Sequence, residues 1–442
     1  MVFKSTREKC DAADFKSAIF QGLAPDGGLY VQATIPDLSE VYRKITKETP
    51  FATIAAEMTN ALLPDEISSR DAASICAKAF PFSPKLNKIE DHISILELYH
   101  GPSCAFKDFG ASFLAHAMEY FLGERNDRAI ILTATSGDTG SAVAQAFHNV
   151  ENIDVVILYP SGRVSPLQEK QLTTLGGNVH ALEINGAFDD CQRMVKEAFM
   201  DAALRSSLQL TSANSINLGR LLPQSFYYIW ARAQSAKNLG DMLTPGKAPL
   251  LFCVPSGNFG NLTAGVLAWK WGMQVDGFIA ATNINDIVPE YLSSGIFTPR
   301  PSSHTYSNAM DVGNPSNFER LEWLFNNDNR SMKQVIHGEV VSDDETLDTI
   351  AQVYKDKGVF LDPHTAVGYI ASRRYLETNN NADILAFSTA HPGKFGEIVE
   401  KATGKNPVLP PQLEAVMQKE KHSTVIDNSL EALRGFLMDT FT

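Results

Sequence analysis

Residues 129–159 read AIILTATSGDTGSAVAQAFHNVENIDVVILY. An apolar run, AIILTA (129–134), stops at a glycine-bearing turn. Val143, Ala144 and Phe147 then recur at helical spacing, and DVVILY (154–159) is apolar again. Strand, turn, helix and strand in this order make a βαβ unit. The strands lack polar alternation, so they are expected to be covered on both faces, as in a parallel sheet.

The pattern extends in both directions. ISILELY (93–99) precedes a helix whose apolar face is Phe113, Leu114, Ala117, Met118, Phe121 and Leu122. A helical stretch near 165–175 is followed by NVHALEI (178–184) and then another helix. LLFCV (250–254), GFIAAT (277–282), VFLD (359–362) and ILAFST (384–389) read as strands of a second unit. The predicted fold class is α/β, with two doubly wound domains. Residues 1–95 differ, with helical patterns at 38–46, 51–62 and 70–79, and are expected to form a mostly helical N-terminal domain. Residues 96–215 would be a smaller α/β domain and 216–442 a larger one with C-terminal helices. The Ser-, Pro-, Asn- and Gly-rich stretch 292–318 is expected to be a long irregular loop with a functional role.

The 442 residues include 38 basic and 51 acidic ones, a net charge of -13. That balance argues against nucleic acid and anionic membrane surfaces, and favours a small-molecule substrate. An anionic ligand must then be met locally, by helix N-termini and a few cations. The cysteines, Cys10, Cys76, Cys104, Cys191 and Cys253, are odd in number and show no CxxC spacing, so neither a disulfide framework nor a metal site is predicted. No uninterrupted apolar stretch long enough for a membrane span occurs, and a cytoplasmic location is expected. Monomer and homodimer both remain open.

Three turns and one lysine suggest the chemistry. GPSCAFKDFG (101–110) sets Lys107 between Phe106 and Phe109. Such a lysine either snorkels its stem along an apolar surface or is desolvated, so that its amine becomes a Schiff-base nucleophile. TATSGDTGSA (133–142) and PSGNFGN (255–261) each follow a strand and open a helix, where small residues and free N–H groups suit an anion. Neither fits a P-loop or GxGxxG. STAHPGKFGE (388–397) ends a strand in two hydroxyl residues. All three lie at strand carboxyl ends, where doubly wound folds bind ligands. Two anion-ready turns, a hydroxyl and a desolvated lysine together fit pyridoxal 5'-phosphate.

STR (5–7), GLAPDGGLYV (22–31), HGPSCAFKDFG, TATSGDTGSA, SANSINLGR (212–220), PSGNFGN and STAHPGKF occur in an order that resembles the threonine synthase family, nearly end to end. Glu8, Gln32 and Gly393 depart from the usual family residues. The resemblance implies a type II pyridoxal-phosphate fold, with Lys107 as the Schiff-base lysine and proton carrier. It implies that Gly257, Asn258, Phe259, Gly260 and Asn261 wrap the cofactor phosphate, that Thr389 faces the pyridine nitrogen, and that Asp138 lies near the phenolic oxygen. Ser136, Gly137 and Thr139 would receive the substrate α-carboxylate. The implied substrate is O-phospho-L-homoserine, converted to threonine by γ-elimination of phosphate and β-addition of water. Arg163 and Arg220 are candidates for its phosphate, against the plainer reading of each as a surface or helix-end arginine. Two alternatives stand beside this: a phospholyase paralogue releasing 2-oxobutanoate and ammonia, and a non-catalytic ligand sensor on the same fold.

Overall fold

All residues of Ile153–Pro160 are buried, as a strand covered on both faces must be. In the computed structural model, which describes residues 1–123, 128–135, 137–235 and 248–442, this strand is central to a five-stranded parallel sheet. The sheet order is Thr424–Ile426, Val179–Ile184, Ile153–Pro160, Ala129–Ala134 and Leu210–Thr211. A second sheet of six strands runs Ile336–Val340, Gly277–Thr282, Leu250–Pro255, Asp383–Ser388, Ile93–Glu97 and Lys85–Glu90. It is parallel except for the antiparallel edge pair of Lys85–Glu90 with Ile93–Glu97. The two α/β domains are therefore as expected.

The boundaries between them are not. Ile93–Glu97 pairs with Asp383–Ser388 in the larger sheet, so a division at residues 95 and 96 cuts that sheet. The C-terminus also crosses back. Thr424–Ile426 adds to the edge of the smaller sheet, and helix Leu430–Phe441 buries Leu433 and Leu437 among Leu182, Ile184, Cys191 and Met194. Burying each leucine is worth about 1.5–3 kcal/mol, enough to hold this segment on the smaller domain rather than the larger. VFLD (359–362) forms no strand. Asp362 instead caps helix Pro363–Thr378, its side chain accepting from the N–H groups of His364 and Thr365 with Pro363 in the first turn. Ile336–Val340, absent from the predicted strands, forms the edge of the larger sheet beside Gly277–Thr282.

The N-terminal region is mostly helical, with Phe51–Leu62 and Ser69–Ala79 and a two-stranded sheet of Phe3–Ser5 and Tyr30–Gln32. It packs on the helix that begins at Lys107. The rings of Phe51 and Phe80 lie 5.1 and 6.1 Å from that of Phe109, which fixes the start of this helix from one side. The stretch 292–318 is irregular between the end of helix Ile287–Ser294 and the start of helix Phe318–Leu324, apart from one 3-10 turn, but it is fastened. Asp311 accepts hydrogen bonds from Asn283, Asn285 and Thr305, and the 3-10 turn Asn308–Met310 lies against the 257–261 turn.

Candidate active site

Lys107 is the first residue of helix Lys107–Gly123. The preceding turn is tightly bound. Cys104 has φ 56°, and the Ser103 N–H donates to Asp108 Oδ2 at 3.0 Å. A Cβ added to Gly101 would come within 2.4 Å of that same oxygen. The Phe106 N–H donates to Thr389 O at 2.8 Å, tying the lysine segment to the end of strand Asp383–Ser388. The Lys107 side chain is 16% exposed, with Nζ 3.7 Å from Asp138 Oδ2 and 5.1 Å from the Phe106 ring centre. Burial lowers its pKa, Asp138 opposes that shift, and the nearby Lys394 and Arg220 reinforce it. Of the two readings of this lysine, the desolvated amine is the one seen.

Asp138 opens helix Asp138–Phe147. Burial pushes its carboxyl upward, but Lys394 and Lys107 outweigh burial and hold it well below the ordinary range. Lys394 Nζ lies 2.8 Å from Asp138 Oδ1 and donates to Ser103 O at 2.7 Å. Gln168 Nε2 donates to Asp138 Oδ1 at 3.1 Å, and Gln171 Nε2 to Ser103 O at 3.1 Å. Both glutamines stand on helix Pro166–Thr173. Around this cluster Ser103 Oγ, Asp108 Oδ1, Gln171 Oε1 and Arg220 Nε are buried without a partner. Burial raises the Asp108 carboxyl to about 6. Unpaired buried polar atoms are costly and concentrate where a ligand or water completes the set.

The 257–261 turn is built differently. Phe259 sits in the left-handed region at φ 60° and leads into helix Gly260–Lys270. Among the described residues, the N–H groups of Gly257, Asn258, Phe259, Gly260 and Asn261 donate to nothing. The asparagine side chains turn to bracing. Asn258 Nδ2 donates to Ser215 Oγ at 2.6 Å, and its Oδ1 accepts the Ser316 N–H at 2.5 Å. Asn261 Nδ2 donates to Pro255 O at 2.8 Å. A Cβ on Gly257 would lie 2.6 Å from Met310 Cα, so backbone meets backbone there. Five free N–H groups at a helix N-terminus, with the favourable end of the helix dipole behind them, form a cradle for phosphate. With Lys107 as the amine, the residues present fit pyridoxal phosphate.

Thr389 is 6% exposed, one residue beyond strand Asp383–Ser388. Behind it Thr365 Oγ1 donates to Asp362 and lies 2.8 Å from Ser388 Oγ, whose hydroxyl can donate to it, while His364 Nε2 accepts the Ala309 N–H at 3.2 Å. Gly137 is packed under the Gln168 side chain, and its N–H is already given to Thr135 Oγ1 at 3.0 Å. Among the described residues, the donors of that turn without a partner are the N–H groups of Asp138 and of half-buried Thr139. Ser136 lies outside the described residues.

The two arginines part company. Arg220 is 2% exposed and its charge reaches Lys107. Its Nη1 donates to Ala213 O at 2.7 Å, Nε is unpaired, and burial pulls its pKa down to about 10. A Cβ on Gly110 would lie 2.7 Å from Arg220 O, so the Lys107 helix runs directly against it. Arg163 is corrected: it is exposed on the turn after Ile153–Pro160, where its charge acts on Asp190, and it is not brought to the cluster. Ser161 Oγ and Tyr159 OH both donate to Glu183 and fasten that turn away from the site.

Sequence reasoning missed Lys394, Gln168 and the braces of the phosphate turn. The signal for Lys394 was present, as the lone cation in the apolar stretch FSTAHPGKFG (387–396). The STR motif serves a brace: Thr6 Oγ1 donates to Glu319 Oε1 at 2.5 Å, beside an Arg7–Glu319 ion pair. The adjoining Arg320 is buried and donates to Tyr30 O, Asn317 Oδ1 and Ile216 O. Asn317 in turn gives its N–H to Asn258 O at 3.3 Å.

Known proteins match along the whole chain. The family model for pyridoxal-phosphate dependent enzymes matches residues 81–389, and those for the threonine synthase N terminus and C-terminal region match 2–80 and 365–437. The threonine synthase of Haemophilus influenzae is 43% identical over 96% of both chains. Among solved structures, pyridoxal-phosphate-bound threonine synthase from Brucella melitensis superposes with TM-score 0.92 at 35% identity, covering 99% of each chain. That from Escherichia coli superposes with TM-score 0.88 at 40% identity, covering 99% of this chain and 100% of its own.

Proposed function

The chain belongs to the threonine synthase family of pyridoxal-phosphate-dependent lyases, and on that premise we propose that it converts O-phospho-L-homoserine and water to L-threonine and phosphate. Its cofactor is pyridoxal phosphate. Bound at this site, that group supplies an electron sink for negative charge developing on the substrate's α carbon.

The observation that carries the assignment is the buried Lys107 amine, 3.7 Å from Asp138 and with a lowered pKa. Lys107 would hold the cofactor through its amine and, once free, would move protons at the substrate's Cα and Cβ. A proton carrier must titrate near the working pH, and desolvation brings a lysine towards that range. The five N–H groups of 257–261 hold the cofactor phosphate, and Thr389 offers a neutral hydroxyl to the ring nitrogen. Asp138 faces the phenolic oxygen. Ser136, Gly137 and Thr139 shape the seat of the substrate carboxylate, with donation falling to the Asp138 and Thr139 N–H groups. Arg220, with a spare buried Nε, receives the phosphate that leaves Cγ. Arg163 has no part in this assignment. The five unpaired cysteines support a reducing cytoplasm as the place of work.

Product analysis tests the reading. Purified enzyme given phosphohomoserine should release threonine and phosphate in equal amounts. Release mainly of 2-oxobutanoate and ammonia would replace the synthase with a phospholyase, and cofactor binding without any turnover would indicate a sensor.

A further inference from the structure

Two lysines and one carboxylate share the centre of the site, so their charges do not balance if all three are ionised. Asp138 Oδ1 is 2.8 Å from Lys394 Nζ, while Oδ2 is 3.7 Å from Lys107 Nζ. Lys394 also has a second acceptor, Ser103 O at 2.7 Å, and its side chain is wholly buried. Lys107 is held more loosely, its only close approach to Asp138 being at 3.7 Å, and it faces an aromatic ring. One buried carboxylate compensates one ammonium, and the closer, doubly bonded lysine takes it.

We propose that Lys394 is a positioning residue: by occupying Asp138, it leaves Lys107 as the uncharged amine that condenses with the cofactor's aldehyde. The proposal rests on Lys107 being the linked lysine. In the condensation the amine lone pair attacks the aldehyde carbon, the two amine protons pass to the aldehyde oxygen, and that oxygen leaves as water to give the C=N bond, so a protonated Lys107, with no lone pair, cannot react. The charged and titratable groups facing Lys107 are Asp138, Lys394 and Arg220. Asp108 acts on Arg220, and His364 acts on Asp138. Only Asp138 favours the ammonium form of Lys107, so its engagement elsewhere decides the outcome.

The test is the rate at which the full-length apoenzyme, given pyridoxal phosphate, develops the visible band of the linked cofactor, measured across pH. Lys394→Met frees Asp138 for Lys107 and should move the midpoint of that profile up by about 1 pH unit or more, the effect of a close opposite charge. Lys394→Arg should keep the wild-type midpoint, and Lys394→Met with Asp138→Asn should restore it towards wild type. Asp138→Asn alone preserves shape and should lower the midpoint, so it carries the test if Lys394→Met does not fold. An unmoved midpoint in folded Lys394→Met, or in Asp138→Asn, would overturn the proposal. Borohydride reduction and peptide mapping separate this failure from another: a label on a lysine other than Lys107 would defeat the reading of the site itself.

Discussion

The 257–261 turn and the cluster around Lys107, assigned above to one ligand, are held by different forces. The turn is made of backbone. Its donors are main-chain N–H groups, its conformation is set by Phe259 at φ 60° and by the close approach of Gly257 to Met310, and its side chains face away to brace it. The lysine cluster is made of charges, Lys107, Asp138, Lys394 and Arg220, in a buried setting where several polar atoms lack partners. Backbone donors do not titrate and survive every substitution but proline, so side-chain changes should make the turn fail only through shape. The cluster depends on protonation state and should fail through loss of a single functional group.

Lys107→Ala is the severest way to break the cluster. It removes the amine proposed to link the cofactor and move protons, while deleting a side chain at a helix start costs the fold little. Turnover should fall by more than about a thousandfold, since one group supplies both nucleophilic and proton-transfer catalysis. Circular dichroism should be unchanged. Retained turnover, or a borohydride label that persists in the variant, would contradict the assignment.

The turn should break at Gly257 before Gly260. A Cβ at 257 would meet Met310 Cα at 2.6 Å and Ala309 O at 2.9 Å, both backbone, whereas one at 260 would meet the Asn317 side-chain amide at 3.2 Å. Gly257→Val must therefore push the 308–310 turn away, at about 1–3 kcal/mol, the usual cost of overpacking. The equivalent loss of cofactor affinity is about ten- to a hundredfold. Gly260→Ala should lose far less, because an amide side chain can yield. Cofactor titration of the two variants distinguishes them, and equal losses would mean that contact with phosphate, rather than packing behind the turn, governs both positions.

What the sequence revealed follows the same division. The strands at 129–134 and 277–282 are observed at those limits, because buried parallel strands are runs of apolar residues. The turns between strands and helices were legible for the same reason, their small residues having no role inside either element. Half-exposed edge strands were not: Lys85–Glu90 and Ile336–Val340 carry charges and a glycine. Nor could composition show that Thr424–Ile426 returns to the first sheet, since pairing over such a distance leaves no local trace. In the candidate site, Lys107 was singled out through the residues around it. Lys394 was not singled out within STAHPGKFGE, because its partner, Asp138, is remote in sequence and only the fold joins them.

The mildest test of the contrast is Asn258→Ala. This residue lies in the middle of the phosphate turn, yet its side chain donates to Ser215 and accepts from Ser316, behind the turn rather than into it. If phosphate is held by main-chain N–H groups, removing the amide leaves every donor in place and only loosens the brace. Two neutral hydrogen bonds are worth about 0.5–1.5 kcal/mol each when net solvent exchange is counted. This site is partly exposed and water can replace the lost partners, so the lower end applies. Cofactor affinity should drop by no more than about tenfold, with the pH profile of cofactor linkage unmoved because no charge is altered. A loss as large as that of Gly257→Val, or a displaced midpoint, would mean that the Asn258 side chain takes part in binding and that the turn is not a backbone device.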